Sequence, residues 1–124
     1  MKFAGLLAIA AGMIFTNLLG TIGNAEAECT GQWTQWFDYD NADGLGDYEK
    51  TSIFVKHLGN YMCSNPTIVE ARTIDGVAAE DTGEIFSEYS PEVGFVCLIA
   101  DQPDNECLDY EARFCCPDGG LTQL

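Results

Sequence analysis

An acidic stretch between residues 38 and 49 is the part of this chain best suited to binding a cation. It holds five carboxylates and one Asn within twelve residues, directly behind the aromatic residues Trp33, Trp36 and Phe37. Its glycines, Gly44 and Gly46, permit a sharp turn that aims several oxygens at one point. A hard cation such as Ca²⁺ takes roughly six to eight oxygen ligands, so it would turn the repulsion among these acids into attraction.

The spacing of these acids differs from that of a regular EF-hand loop. Asp38 and Asp40 match the first and third positions of such a loop and Glu49 matches the last, but Ala42 brings no side-chain oxygen to the fifth. Two interpretations of the stretch therefore stay open. One is a metal site, and the other is an acidic turn whose side chains are separately solvated.

The N-terminal residues 1–27 have the features of a secretory signal peptide. Lys2 supplies the positive start, residues 3–15 form an apolar or small run, and Ala25-Glu26-Ala27 is a small-x-small cleavage site. We therefore predict a secreted, extracellular protein with one folded domain over residues 28–116 and a flexible C-terminal tail over residues 117–124.

All six cysteines follow the predicted signal peptide. In an oxidising compartment this even number predicts three disulfides, although the sequence does not separate the alternative pairings. Neighbours on a strand point to opposite faces, so Cys115 and Cys116 should tie the last strand in two directions rather than bond each other. Zinc is the rival use, but no Cys-x-x-Cys pair is present and His57 is the only histidine. The predicted disulfide cysteines are Cys29, Cys63, Cys97, Cys107, Cys115 and Cys116.

The formal net charge of −15 limits the partners of the chain. Such a surface repels nucleic acid and anionic membranes and attracts cations and basic partners. The aromatic content of 11% is too high for a disordered acidic tail, so the charge belongs to a folded domain.

The hydrophobic pattern predicts one short helix followed by strands. Asp47 would cap a helix over residues 47–58, which Gly59 ends. Its apolar face would hold Thr51, Phe54, Val55 and Leu58.

Strands are predicted over 67–74, 83–89, 93–99 and 107–116. In the first, Val69, Ala71 and Thr73 would share one face, and Asp75-Gly76 would form the following turn. In the last, Leu108, Tyr110, Ala112 and Phe114 would point inward. A turn over residues 101–105 suggests that the last two strands form an antiparallel hairpin.

Seven motifs follow one another along the chain. They are Trp33-x-x-Trp36-Phe37-Asp38-x-Asp40, Gly46-Asp47-Tyr48-Glu49, Cys63-x-x-Pro66, Glu70-Ala71-Arg72-Thr73, Pro91-x-x-Gly94-Phe95-x-Cys97, Asp101-Gln102 and Cys107-x-x-Tyr110-x-x-Arg113-Phe114-Cys115-Cys116. Together they resemble a known family, the WxxW or CysD domain of gel-forming mucins and of cartilage intermediate layer protein. Gly46-Asp47-Tyr48-Glu49 and Glu70-Ala71-Arg72-Thr73 are closer to the cartilage version.

This resemblance implies a mainly β, small, disulfide-stabilised antiparallel β-sandwich-like domain with one short helix and a bound Ca²⁺ ion. It implies a non-enzymatic module that makes weak contacts with extracellular matrix or mucin-type proteins, including weak self-association. Trp33 would be the C-mannosylation acceptor of the Trp33-x-x-Trp36 motif; the alternative is that both indoles are core residues. The implied calcium ligands are Asp38, Asp40, Asn41, Asp43, Asp47 and Glu49.

The residue types give little support to an enzyme. His57 stands near the end of the predicted helix, and no nucleophile elbow or phosphate-binding loop is present in the sequence. Among non-enzymatic functions, a module of mucus or matrix competes with an acidic protein of a mineralised tissue that binds calcium or crystal surfaces. Acids spread over a flat surface would favour mineral binding, whereas an apolar patch rimmed by charge would favour a protein interface.

Overall fold

A computed structural model describes residues 28–118 and residue 121. The predicted signal peptide, 1–27, and most of the predicted tail lie outside the described residues. One α-helix, α1, covers Thr51–His57, and 3₁₀ turns lie at Ala79–Asp81 and Ile99–Asp101. The strands are β1 (Gln32–Trp33), β2 (Gly46–Lys50), β3 (Ile68–Thr73), β4 (Glu88–Ser90), β5 (Gly94–Leu98) and β6 (Tyr110–Cys116).

The first sheet has the strand order β1-β6-β3, and all its pairs are antiparallel. Val69 stands opposite Phe114, and Ala71 stands opposite Ala112, so the two apolar faces coincide. The alternating burial predicted for β3 and β6 is confirmed. Leu108 is the exception, because it precedes β6 and is 48% exposed.

The second sheet has the order β2-β5-β4, again antiparallel. The predicted hairpin between the strands at 93–99 and 107–116 is therefore wrong. Since β5 and β6 are each the central strand of a different sheet, each already has ladder partners on both sides. The predicted strand over 83–89 is also shorter than expected, since only Glu88–Ser90 joins a ladder.

The predicted helix begins four residues too early. Residues 46–50 pair with β5, from Gly46 opposite Leu98 to Lys50 opposite Gly94, so Asp47 lies in a strand and caps no helix. The later half of the prediction is confirmed, since Thr51 and Phe54 are buried in α1. Across the described residues, no helix is long and apolar enough to cross a membrane.

Two adjoining aromatic clusters form the core. Phe95 of the second sheet lies 4.8 Å from Tyr110 of β6 between ring centroids, and Phe54 of α1 lies 5.7 Å from Phe114. The inner face of β6 therefore packs against both the helix and the second sheet. This arrangement confirms the mainly β, sandwich-like prediction.

Three disulfides close the fold, and their pairing joins Cys29 to Cys115, Cys63 to Cys116, and Cys97 to Cys107. The adjacent cysteines at the end of β6 thus lead in two directions, as predicted. One bond reaches the segment before β1, and the other reaches the segment before β3. The third joins the end of β5 to the segment before β6, where the sequence had suggested a hairpin.

Candidate functional site

Strand β2 brings two acidic side chains into the protein interior. Because strand side chains alternate, Asp47 and Glu49 point to the same face, and each is 0% exposed. Tyr48 and Lys50 point to the other face and stay partly exposed. The ladder with β5 therefore decides that these two carboxyl groups are buried.

Glu49 holds the acidic loop, residues 38–45, against β2. Its Oε1 accepts a hydrogen bond from the Tyr39 N–H at 2.8 Å, and its Oε2 accepts one from the Asp40 N–H at 3.1 Å. In return, Asp40 Oδ2 accepts from the Tyr48 N–H at 3.1 Å. Two carboxyl groups of the acidic stretch thus satisfy backbone donors and fix its path.

Asp47 has a different environment, because only one of its oxygens is bonded. Its Oδ2 accepts from the Tyr110 N–H at 2.6 Å, which joins the second sheet to β6. Its Oδ1 is buried and has no hydrogen-bond partner, and the same is true of Asp109 Oδ1. A buried acceptor without a donor is costly, so a hydrogen-bond donor or a cation beside these oxygens would be stabilising.

Asp109 was missed by sequence reasoning. It lies beside the start of β6, close enough for its charge to raise the pKa of Asp47 across a separation of 62 residues. In the predicted strand over 107–116, Asp109 alternates with the inward-pointing residues Leu108 and Tyr110, so the pattern predicts an ordinary acid that faces solvent. Only the meeting of β2 with the start of β6 distinguishes it from the other acids of that pattern.

The carboxyl groups of Asp38, Asp47 and Glu49 are harder to ionise than ordinary acids. Burial raises the pKa of both Asp47 and Glu49, and the charge of Asp47 raises the pKa of Glu49 further. Burial likewise raises the pKa of Asp38, and the charges of Asp109, Glu111 and Asp40 raise it further. These groups resist carrying several negative charges at once, and a bound cation would remove that resistance.

The remaining predicted ligands lie at the surface. Asp38, Asn41 and Asp43 are exposed, and the Gly46 N–H donates to the Asp43 carbonyl in a tight turn. Among the described residues, no three His, Cys, Asp or Glu side chains are grouped so that they could hold a metal ion by themselves. The donorless oxygens of Asp47 and Asp109 nevertheless suit Ca²⁺, which also accepts backbone carbonyls and water as ligands.

Trp33, Trp36, Arg72 and Arg113 form a second arrangement on the outer side of the first sheet, which we call the Trp–Arg face. Arg113 Cζ lies 4.2 Å from the ring centroid of Trp33 and 4.8 Å from that of Trp36, and Arg72 Cζ lies 3.9 Å from that of Trp36. Both indoles are partly exposed and belong to neither core cluster, so the interpretation as core residues is wrong. Cross-strand ion pairs, Arg72 with Glu111 and Arg113 with Glu70, complete this face.

Comparisons with known proteins agree with this structure. Residues 33–116 match the family model described as the Mucin-2 protein WxxW repeating region. Cartilage intermediate layer protein 1 of Mus musculus is 41% identical over 95 residues, covering 76% of this chain and 8% of that protein. Mucin-5B of Homo sapiens is 32% identical over 111 residues, covering 83% of this chain and 2% of that protein.

A third relative is the cell migration-inducing and hyaluronan-binding protein of Homo sapiens, 29% identical over 85 residues, covering 68% of this chain and 6% of that protein. The chain thus spans less than a tenth of the length of each of these three relatives. The family match runs from Trp33 in β1 to Cys116 at the end of β6, and so includes both sheets, the acidic loop and the Trp–Arg face. The chain belongs to the WxxW family of mucin and cartilage intermediate layer proteins.

Proposed function

We propose that this protein is a secreted, non-enzymatic, calcium-binding module of mucus or extracellular matrix. Its membership of the WxxW family supports the extracellular structural role, because its relatives include a mucin and cartilage intermediate layer proteins. Its partners would be extracellular matrix or mucin-type proteins, with weak self-association. The net charge of −15 supports the absence of nucleic-acid and membrane partners.

The calcium proposal depends on one observation, the two buried carboxylate oxygens without donors. Asp47 and Asp109 would hold the ion through these oxygens. Asp40 and Glu49 would shape the site by fixing the loop and could supply further ligands. The predicted ligands Asp38, Asn41 and Asp43 stay predictions. All three are exposed, and Asp38 is close enough to Asp109 for the charge of Asp109 to raise its pKa.

A bound ion here would act as a structural cross-link. Asp47 belongs to the second sheet, whereas Asp109 precedes the central strand of the first. A divalent charge between them would offset buried like charges and join the two sheets, so its main contribution would be to stability. Extracellular modules of this kind bind Ca²⁺ with Kd values of about 10⁻⁴–10⁻³ M.

Isothermal titration calorimetry with Ca²⁺ on the secreted chain tests this proposal. We expect saturable binding in that affinity range, and we expect Asp47→Asn and Asp109→Asn each to abolish it. Glu92→Gln, which removes the same charge from an exposed position, should bind as the parent does. Light scattering in calcium and in chelator would show whether the chain self-associates. Absence of calcium-dependent heat in the parent would contradict the calcium site.

The proposed modification of Trp33 has its own test. The indole is partly exposed at β1 and carries the Arg113 guanidinium over its ring. Mass spectrometry of the chain secreted from animal cells should show one added hexose, which Trp33→Phe would remove. A hexose that persists in that variant, or is absent from the parent, would contradict the assignment.

One observation favours the mineral-binding alternative. Twelve acidic side chains of the described residues are exposed, and they include acids far from the candidate calcium site, such as Asp75, Glu92 and Asp104. If this function is correct, the chain should adsorb to hydroxyapatite or calcite, and replacing several exposed acids by amides should weaken adsorption while Asp47→Asn does not. Equal adsorption of all these variants would argue against it.

A further inference from the structure

A cleft of about 350 Å³ opens along β3, on the side of the molecule that carries the Trp–Arg face. Trp36, Arg72 and Tyr89 line it, together with the segment around Ala78. Neither Asp47 nor Asp109 contributes to it, so it is separate from the candidate calcium site. We propose that this cleft binds an uncharged oligosaccharide.

The charge of the lining excludes strongly charged ligands. Arg72 and Arg113 bring two positive charges, and Glu70 and Glu80 bring two negative charges. The cleft is therefore locally balanced on a chain whose net charge is −15. A polyanion would be repelled by the chain and would find both guanidinium groups already paired. A polycation would be drawn instead to the many acids elsewhere on the surface.

The two guanidinium groups of the lining are held in place and keep N–H donors for the hydroxyl groups of a sugar. Arg72 donates its Nε–H to Glu111 at 2.5 Å, and Arg113 donates from Nε and Nη2 to Glu70 at 2.8 and 2.7 Å. Each guanidinium has five N–H donors, so each keeps further donors for a ligand. Both guanidinium groups also lie over the Trp36 ring, and these contacts limit their motion and lower the ordering cost of binding.

The other wall of the cleft presents a fixed aromatic side chain. The Tyr89 hydroxyl accepts from the Ala71 N–H at 3.0 Å and donates to Glu80 at 3.3 Å. The Tyr89 ring is held edge-on by Phe86 and Phe95, with centroids 5.9 and 5.2 Å away. A cleft lined by an aromatic side chain and by planar polar groups suits a sugar, which has an apolar C–H face and a rim of hydroxyls.

Titration of the secreted chain with chitotriose and with N-acetyllactosamine tests this proposal. We expect one-to-one, millimolar binding of at least one of them, with shifts of the NMR signals of the Trp36 indole and the Arg72 side chain. Ala78→Leu, which places a larger side chain in the cleft, should weaken binding at least about tenfold. Ala100→Leu is the matched control, because Ala100 is exposed and does not line the cleft.

Hyaluronan, a polyanion, and a lysine-rich peptide, a polycation, serve as charged controls. Neither should shift the NMR signals of Trp36 and Arg72. If Ala78→Leu lowers the melting temperature, Glu80→Gln provides a second variant, with weaker binding expected. The proposal is overturned if neither neutral sugar shifts these signals, if a charged competitor shifts them, or if a correctly folded cleft variant binds as the parent does. Binding in chelator should equal binding in calcium, so this result is independent of the calcium site.

Discussion

Replacing Asp47 by Asn should remove the effect of calcium on stability while leaving the fold intact. The side chain is 0% exposed, so the similar shape of Asn avoids a packing defect. Its carbonyl oxygen can still accept from the Tyr110 N–H, which Asp47 Oδ2 now accepts at 2.6 Å. Its amide can donate toward Asp109, whose buried Oδ1 has no partner.

The magnitude follows from these contacts and from ligand linkage. In chelator, the variant should be more stable than the parent by about 1–2 kcal/mol, because it removes one buried charge and satisfies buried acceptors. At a calcium concentration about 100 times Kd, the parent should gain about 2.7 kcal/mol and the variant nothing. For a domain of this size that gain raises the melting temperature by about 10–20 °C. The order of stability should therefore reverse between the two buffers.

Thermal unfolding followed by circular dichroism, with disulfides intact, measures both quantities. Glu92→Gln controls for the loss of one negative charge, and it should respond to calcium as the parent does because Glu92 is exposed. The reasoning would be refuted if calcium did not change the melting temperature of the parent. It would also be refuted if calcium raised the melting temperature of the Asp47→Asn variant as much as that of the parent.

Three further predictions concern other parts of the fold. Arg113→Lys should lower the free energy of unfolding by about 1–2 kcal/mol in urea titrations, because Lys lacks the guanidinium group that lies over the rings of Trp33 and Trp36. The control Lys56→Arg, at an exposed position, should have little effect. Gly94→Ala should cost at least about 3 kcal/mol by the same measurement, since its φ is +108° and an added Cβ would lie 2.4 Å from the Glu49 carbonyl oxygen. Gly44→Ala, with φ +61° and open space, should cost only about 1 kcal/mol, and equal costs would contradict the packing argument. Burial raises the pKa of the Tyr89 and Tyr110 phenols. In a spectroscopic pH titration, the absorbance of these two phenolates should therefore be missing from the folded chain at a pH where the denatured chain shows all five tyrosines ionised. Because only the unfolded chain loses these protons there, the free energy of unfolding should fall as pH rises past about 10. Tyr→Phe variants assign the late-titrating groups, and a folded chain that titrates like the denatured one would contradict their burial.

The buried faces of the first sheet could be read from the sequence alone. Val69 and Ala71 alternate with Glu70 and Arg72, and that period of two places the apolar residues inward whatever the strand partners are. The opposite directions of Cys115 and Cys116 follow from the same geometry. Family membership was also accessible, because the motifs keep their order along the chain.

The candidate calcium site depended on contacts that no local pattern contains. Residues 47–58 satisfy the helical period, yet pairing with β5 draws Asp47 and Glu49 into a strand and buries them. The sequence by itself determined that acids crowd the loop after the tryptophans and which strand faces are apolar. The tertiary structure decided which acids lose water and that Asp109 joins them, because burial and hydrogen-bond partners come from chain segments that meet only after both sheets have formed.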